Sequence, residues 1–452
     1  MKKTKLMRSV SGVRGVIGAG LDPVLVASYG AAFGTYLKKG KVVIGSDTRP
    51  SGEMVRRAVT SGLMSVGIDV IDIGIVPTPT VEIAVKANRA AGGICVTASH
   101  NPAAWNALKF FNNHGEFLTP AQYKQMNRVY ESGRFAYQPV EKLGQVTAQD
   151  KWIAEHIRKT LAVKAVNRRA VRKAKFKVVV DAINGAGSFA LPEMVEALGA
   201  KVYRINCEGN GRFVHEAEPL PKNLTQLGRA VRKHKAHLGL ACDPDADRLV
   251  LVDETGTPIY EELTLAVAVF QVLRKKKGPT VLNLSTSQTT AEVARSLGSR
   301  VNLSKVGEAN VVEMMHKKKA VIGGEGNGGV IYPEFHAGRD SLIGAALVMS
   351  AMAETGMTIS QLVETFPKYF NIKTKAALPD DFDQKLKEFE ATALSMLGKV
   401  RIDRRDGIRF DFKEGWLQLR KSNTEPIFRL IIETTSQDMT AELGRKTLRY
   451  FK

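Results

Sequence analysis

At 452 residues the chain is too long for one compact core, and the usual length prior divides it into three or four domains. Its 44% apolar and 25% charged residues are those of an ordinary globular protein, and no apolar run is long enough to cross a bilayer, so no membrane partner is expected. The formal charge of +21, from 66 basic against 45 acidic side chains, raises nucleic acid as a partner and has to be judged by where the cations fall.

In chain order, the basic start Met1-Lys2-Lys3-Thr4-Lys5 is followed by no apolar signal-peptide core. Lys41–Gly45, Val70–Gly74 and Gly93–Thr97 read as buried strands separated by helix-length segments, the signature of parallel α/β layers. A basic, polar stretch from about Thr147 to Lys175 reads as a helical link. Further strands are expected at Phe176–Asp181, Lys201–Ile205 and His237–Cys242, then near Thr280–Leu284 and Ala320–Gly323. Leu263–Leu273 reads as a buried helix. The cationic runs Arg274–Lys277 and Lys317–Lys319 follow helical patterns, where cations favour the C-terminal dipole, and no aromatics interleave to stack bases. Nucleic acid is therefore not an expected partner; the charge decorates the surface and draws in anionic ligands. Beyond Met357 the pattern changes to closely spaced antiparallel strands at Val400–Asp403, Ile408–Phe412, Trp416–Arg420 and Ile427–Thr434, closed by an amphipathic helix from Thr440. The three cysteines, Cys95, Cys207 and Cys242, have no CxxC spacing, which fits a reducing cytoplasm.

Four segments carry chemistry. Thr97-Ala98-Ser99-His100-Asn101-Pro102 ends an apolar strand, where open α/β sheets bind ligands; Ser99 has a proton acceptor beside it in His100. The same residues also fit a plain turn in which Ser99 and Asn101 cap a helix, and the segment alone does not separate the two. Asp243, Asp245 and Asp247 alternate along a loop, and three like charges so close repel unless a cation joins them. Mg²⁺ is the hard cation that suits them. Removing the charge of Asp245 is accordingly expected to leave stability unchanged or raised. The loop imitates an EF-hand, with Glu254 at its twelfth position, but Arg248 stands where that loop needs glycine and a strand follows. The glycine-rich Gly323–Gly329 admits close backbone approach, and Glu325 within it can accept from sugar hydroxyls. Arg420-Lys421-Ser422-Asn423-Thr424-Glu425-Pro426 combines a guanidinium fork with turn amides and hydroxyls, a set that suits a phosphate or, residue by residue, an ordinary polar hairpin. A fifth segment, Gly185–Ala190, fits the dinucleotide pattern GxGxxG/A, with Glu208 downstream. Ala182–Asn184 separate it from its strand, so an oxidoreductase stays a runner-up.

Taken in order, TASHNP, DPDADR, GEGNGG and RKSNTEP, with the opening Ser11-Gly12-Val13-Arg14-Gly15, resemble the α-D-phosphohexomutase family over nearly the whole chain. The resemblance implies an α/β fold of three αβα domains with mixed or parallel sheets, plus a smaller α+β C-terminal domain, around a central cleft. The expected partition is 1–150 with the serine loop, 151–255 with the metal loop, 256–365 with the sugar loop and 366–452 with the phosphate loop. It further implies an isomerase that interconverts hexose 6-phosphate and hexose 1-phosphate. Phosphorylated Ser99 would donate to the sugar, giving a sugar bisphosphate, and recover a phosphate from its other end. By the same resemblance Mg²⁺ is held by Asp243, Asp245, Asp247 and a Ser99 phosphate oxygen. Arg14 and Arg248 lie near the reacting phosphate, Lys109 is the general acid/base with His100 as a second candidate, and Arg420, Ser422, Asn423 and Thr424 hold the other phosphate.

The chain departs from the commoner family pattern at Glu308, Asn327 and Gly329, in a form that resembles an archaeal-type branch of phosphoglucosamine and broader hexose mutases. Glucosamine phosphate is the favoured substrate, with mannose or glucose phosphates as the alternative. Glu308 is a candidate to meet a protonated amine, or else a surface residue paired with Lys305.

Overall fold

Strands and helices alternate where the apolar runs place them. The computed structural model describes residues 6–421 and 427–451, and among these four sheets form in succession. The first has seven strands and a parallel centre, in which Lys41–Ser46 pairs with Asp69–Ile75 on one side and Gly92–Val96 on the other. Continuous apolar runs suit these strands because helices cover both faces. Beyond Gly92–Val96 the sheet turns antiparallel through Trp105–Phe111, Gly12–Val16 and Met7–Ser9. That edge carries Lys109 opposite Cys95 and Arg14 opposite Ala107, so both lie beside the chain leaving Val96.

The second sheet is parallel through Lys201–Ile205, Lys177–Asp181 and Leu238–Cys242, with Leu249–Val252 antiparallel at its edge. In the third, Thr280–Asn283 lies between Val301–Ser304 and Ile322–Glu325, and Gly329–Tyr332 and His336–Arg339 extend it antiparallel. One hydrophobic core runs through both units, from Ile157 to Phe366. Its centre is made of two helices buried over most of their circumference, Glu261–Lys275 and Ser341–Thr355. The tandem glycines Gly185 and Gly187 lead into a short 3₁₀ turn, Ala186–Phe189. A Cβ on Gly185 would lie 2.5 Å from the Pro244 carbonyl oxygen. The glycine thus lets this turn pack against the aspartate loop, which accounts for the dinucleotide-like pattern without a dinucleotide.

The fourth sheet is antiparallel, in the order Phe370–Ala377, Ile427–Thr434, Gly415–Lys421, Ile408–Phe412 and Arg401–Asp403. Helices Phe382–Leu397 and Gln437–Tyr450 cover it over a cluster that includes Phe382, Phe389, Phe410, Phe428 and Phe451. Strand Phe370–Ala377 and helix Phe382–Leu397 have weak sequence signals. The strand is an edge with no fully buried residue, and the helix buries only Phe382, Phe389 and Ala393.

A buried polar junction ties the first unit to the third. His336 bonds through Nε2 to Asp340 Oδ2 (3.1 Å) and faces Glu82 Oε2 through Nδ1 (3.3 Å). His156 spans Asp340 Oδ2 (2.9 Å) and Thr80 Oγ1 (2.8 Å). Burial opposes a charge on His336, but its hydrogen bond to Asp340 and the Glu82 carboxylate facing Nδ1 outweigh it and push the imidazole up to about 9. Burial likewise raises the Glu82 carboxyl. Around neutral pH the imidazole holds a proton that the unfolded chain has largely released. Its stabilisation is therefore full below about pH 6.5 and is lost as pH rises through about 9. The thermal midpoint should fall across that window, and His336→Gln should make the decline shallower. An unchanged slope in the variant would show that the junction is not what titrates.

Candidate active site

The catalytic candidates converge because each follows the C-terminal end of a strand or sits on an adjoining edge, the end of an open α/β sheet where ligands bind. All four units contribute to one cleft of about 1820 Å³, lined among others by Arg14, Ser99, His100, Lys109, Arg248, Glu308, Glu325, Asn327 and Arg420.

Ser99 lies in the loop after Gly92–Val96 with φ +49°, a left-handed conformation uncommon outside glycine, which the surroundings must enforce. Its amide donates to Thr97 Oγ1 (2.9 Å), and that hydroxyl donates to Asp47 Oδ2 (2.6 Å). Arg49 does more. Its guanidinium bonds Asp47 and donates to the carbonyls of Ser99 (2.6 Å), Asn101 (2.6 Å), Pro102 (2.6 Å) and Trp105 (3.0 Å). Asn101 Oδ1 also accepts from Arg14 (2.8 Å). The loop is held as a rigid arch, and the cap for a following helix does not form: Trp105–Phe111 is a strand.

The Ser99 hydroxyl donates to Asp243 Oδ2 (3.0 Å) and lies 3.3 Å from His100 Nδ1. The Arg248 charge, then burial, hold the His100 imidazole well below its ordinary value, so it is neutral at pH 7. The three aspartates sit buried at 0% exposure, and one oxygen from each lies within 4.8 Å of the others. Their outer oxygens are anchored. Asp243 Oδ1 accepts the Asp247 and Arg248 amides (3.1 Å each). Asp245 Oδ2 accepts from Lys109 Nζ (2.6 Å) and Thr78 Oγ1 (2.6 Å), and Asp247 Oδ2 from Lys109 Nζ (3.1 Å) and Arg339 (2.7 Å). Asp245 Oδ1 and Asp247 Oδ1 are buried with no hydrogen-bond partner among the described residues. Two orphaned carboxylate oxygens beside a third carboxylate form an oxygen-only set suited to a hard divalent cation. Burial and its two acidic neighbours raise Asp243 well above the carboxylate range. For Asp245 burial acts the same way, but Lys109 and the hydrogen bonds outweigh it and hold it low. Burial opposes the charge of Lys109 too; Asp245 and Asp247 overcome it and keep the ammonium protonated.

Across the cleft, Glu325 Oε1 accepts from Asn283 Nδ2 and the Gly307 amide (2.9 Å each), and Oε2 pairs with Arg339 (3.2 Å). Glu308, at the start of helix Glu308–Lys318, is 7% exposed. Both of its oxygens accept from Arg339, through the amide (3.0 Å) and Nε (2.9 Å). One expectation is thereby corrected: Glu308 is not a surface partner of Lys305 but lines the cleft, each of its oxygens accepting from Arg339. Arg420 reaches the cleft from Gly415–Lys421 with its Nε buried and unpartnered among the described residues. Ser422, Asn423 and Thr424 lie outside the described residues. The sequence reading missed Asp47, Arg49, Thr78 and Arg339. Asp47-Thr48-Arg49 follows strand Lys41–Ser46 directly, and the strand-end argument that singled out Ser99 applies to it equally.

Comparison with known proteins agrees with this geometry. The phosphoglucomutase/phosphomannomutase models match in order: α/β/α domain I over residues 5–137, domain II over 154–256, domain III over 261–369 and the C-terminal domain over 371–448. A probable phosphoglucosamine mutase of Thermococcus gammatolerans is 36% identical, covering 98% of this chain and 97% of its own. A phosphoglucomutase/phosphomannomutase of Thermococcus kodakarensis is also 36% identical, with 97% of each chain covered. Among solved structures, a phosphoglucomutase/phosphomannomutase family protein from Burkholderia thailandensis superposes with a TM-score of 0.85 at 26% identity, over 98% of this chain and 97% of that one. With three α/β/α units and a C-terminal domain matched end to end, the chain belongs to the phosphoglucomutase/phosphomannomutase family.

Proposed function

We propose that this enzyme moves a phosphoryl group between the 6- and 1-positions of a hexose through a phosphorylated Ser99 and a sugar bisphosphate intermediate. The observation that carries the reading is the Ser99 hydroxyl, held 3.0 Å from Asp243 at the mouth of a buried triad with two unpartnered oxygens. Asp243, Asp245 and Asp247 would hold Mg²⁺ together with a Ser99 phosphate oxygen; the ion supplies charge neutralisation to the phosphoryl group in transfer. Phosphoserine donates to a sugar hydroxyl and leaves Ser99 free. The hydroxyl proton passes to a base, for which the neutral His100 is the candidate; Lys109, held as an ammonium, is the candidate acid that gives a proton back. The bisphosphate reorients, and its other phosphoryl group returns to Ser99 as a proton is given back. Arg14 and Arg248 balance charge at the reacting phosphate, Glu325 and Asn327 face the sugar, and Arg420 with the loop after it holds the idle phosphate.

Glucosamine phosphate is the favoured hexose, supported by the GEGNGG loop and by relatives named probable phosphoglucosamine mutases. The test is kcat/KM for glucosamine, glucose and mannose phosphates, each assayed with a bisphosphate activator. Glucosamine phosphate is expected to lead; if it is the poorest of the three, a glucose/mannose mutase replaces this assignment.

Arg49 is a positioning residue in this scheme. Arg49→Lys keeps the charge but cannot reach four carbonyls and Asp47 together, so kcat should fall about a hundredfold as Ser99 loses its placement. The KM for sugar phosphate should hold, since Arg49 faces the loop and not the sugar. A KM effect with kcat intact would contradict that role.

A further inference from the structure

Arg339 touches three carboxylates from three different elements. It lies at the end of strand His336–Arg339, about 8% exposed. Its NH2 donates to Asp247 of the metal loop, its Nε and backbone amide to Glu308, and its NH1 pairs with Glu325 of the sugar-facing strand. The contact with Asp247 determines which carboxylate oxygen is left for a cation: Oδ2 is taken by Arg339 and Lys109, and Oδ1 has no hydrogen-bond partner among the described residues. On the other side the same guanidinium fixes Oε2 of Glu325, whose Oε1 is already held by Asn283 and Gly307. Glu308 is engaged through both oxygens and sets the plane of the fork.

The path of the side chain depends on a missing one. A Cβ on Gly329 would come within 2.3 Å of Arg339 Cδ, so Arg339 can cross to Asp247 only because residue 329 has no side chain. Gly329, Glu308 and Arg339 therefore form one unit.

We propose that Arg339 is a positioning residue that couples the metal triad to the sugar site. By orienting Asp247 and Glu325 with one rigid group, it makes cation binding and sugar-phosphate binding mutually reinforcing. This deepens the phosphohexomutase reading and rests on it. A planar guanidinium can hold two separate carboxylates in a fixed relation, whereas an ammonium on a flexible stem cannot. Linkage requires the coupling to be equal when measured from either ligand.

The experiment measures binding without turnover, in a Ser99→Ala background. Glucosamine 6-phosphate is titrated calorimetrically with and without saturating Mn²⁺, and Mn²⁺ by electron paramagnetic resonance with and without the sugar phosphate. With Arg339 present, each ligand should tighten the other about fivefold or more, within the range usual for coupled sites. In Arg339→Met and Arg339→Lys that factor should drop below about twofold, with each ligand alone still binding. Gly329→Ala, which leaves Arg339 chemically intact but crowds its stem, should lower it too and serves if Arg339→Met does not fold. Full coupling in a folded Arg339→Met protein overturns the proposal, as does an absence of coupling when Arg339 is present. If the protein with Arg339 binds no hexose phosphate at all, the functional reading fails and this inference falls with it.

Discussion

Ser99→Ala is expected to remove turnover by about four orders of magnitude or more, the scale seen when a covalent nucleophile is deleted. The structure leaves the variant little other damage to report. Ser99 is 4% exposed, but the loop is held by backbone carbonyls on Arg49 and by the Ser99 amide on Thr97, none of which the substitution touches. The fold and the sugar-phosphate Kd should therefore survive while kcat collapses. Intact-mass measurement and peptide mapping of the purified enzyme should find phosphate on Ser99 in a fraction of molecules and none in the variant. Phosphate mapping consistently to another residue, with Ser99→Ala fully active, would sink the mechanism.

The second large effect separates two neighbouring aspartates. Asp243→Asn and Asp245→Asn should each reduce activity severely, because each removes a carboxylate from the proposed metal set. Their stabilities should diverge. Asp243 is crowded by two other carboxylates and its ionisation is disfavoured, so an amide at 243 relieves repulsion and the metal-free midpoint should hold or rise. Asp245 is bonded to the buried Lys109 and to Thr78; its loss leaves Lys109 with one carboxylate fewer and should destabilise by about 1–3 kcal/mol. This reverses the sequence expectation for Asp245, which counted the three negative charges and could not see the ammonium among them. Mg²⁺ should raise the thermal midpoint of the unsubstituted enzyme and not that of Asp243→Asn, since only a ligand that binds the native state shifts it. Chelator-insensitive activity in the unsubstituted enzyme would show the metal assignment to be wrong.

Much of the architecture was legible in short runs. Val42–Ile44, Val178–Val180 and Leu238–Cys242 are buried on both faces, so their apolar continuity announces parallel strands without any partner being known. Helix Glu261–Lys275 was visible for the same reason. Phe370–Ala377 was not, because an edge strand alternating Lys373 and Lys375 with half-buried residues differs little from a loop. The Gly185–Ala190 pattern misdirects in the other way: close packing against Pro244 demands the same glycine that a dinucleotide turn would.

At the site, the sequence alone singled out Ser99 and the three aspartates as candidates for the chemistry. Ser99 at a strand end and three alternating aspartates are local features, and local features are written in adjacent positions. What they are bonded to was decided only by the tertiary structure. Lys109 reaches Asp245 across 136 positions, Ser99 reaches Asp243 across 144, and Arg339 reaches Asp247 across 92. The charge state of each group follows from those contacts: Lys109 held protonated, His100 held neutral, Glu308 buried against a guanidinium instead of facing water. Coulomb interactions and desolvation depend on distance in space, and a spacing in sequence carries that distance only within one turn or one strand.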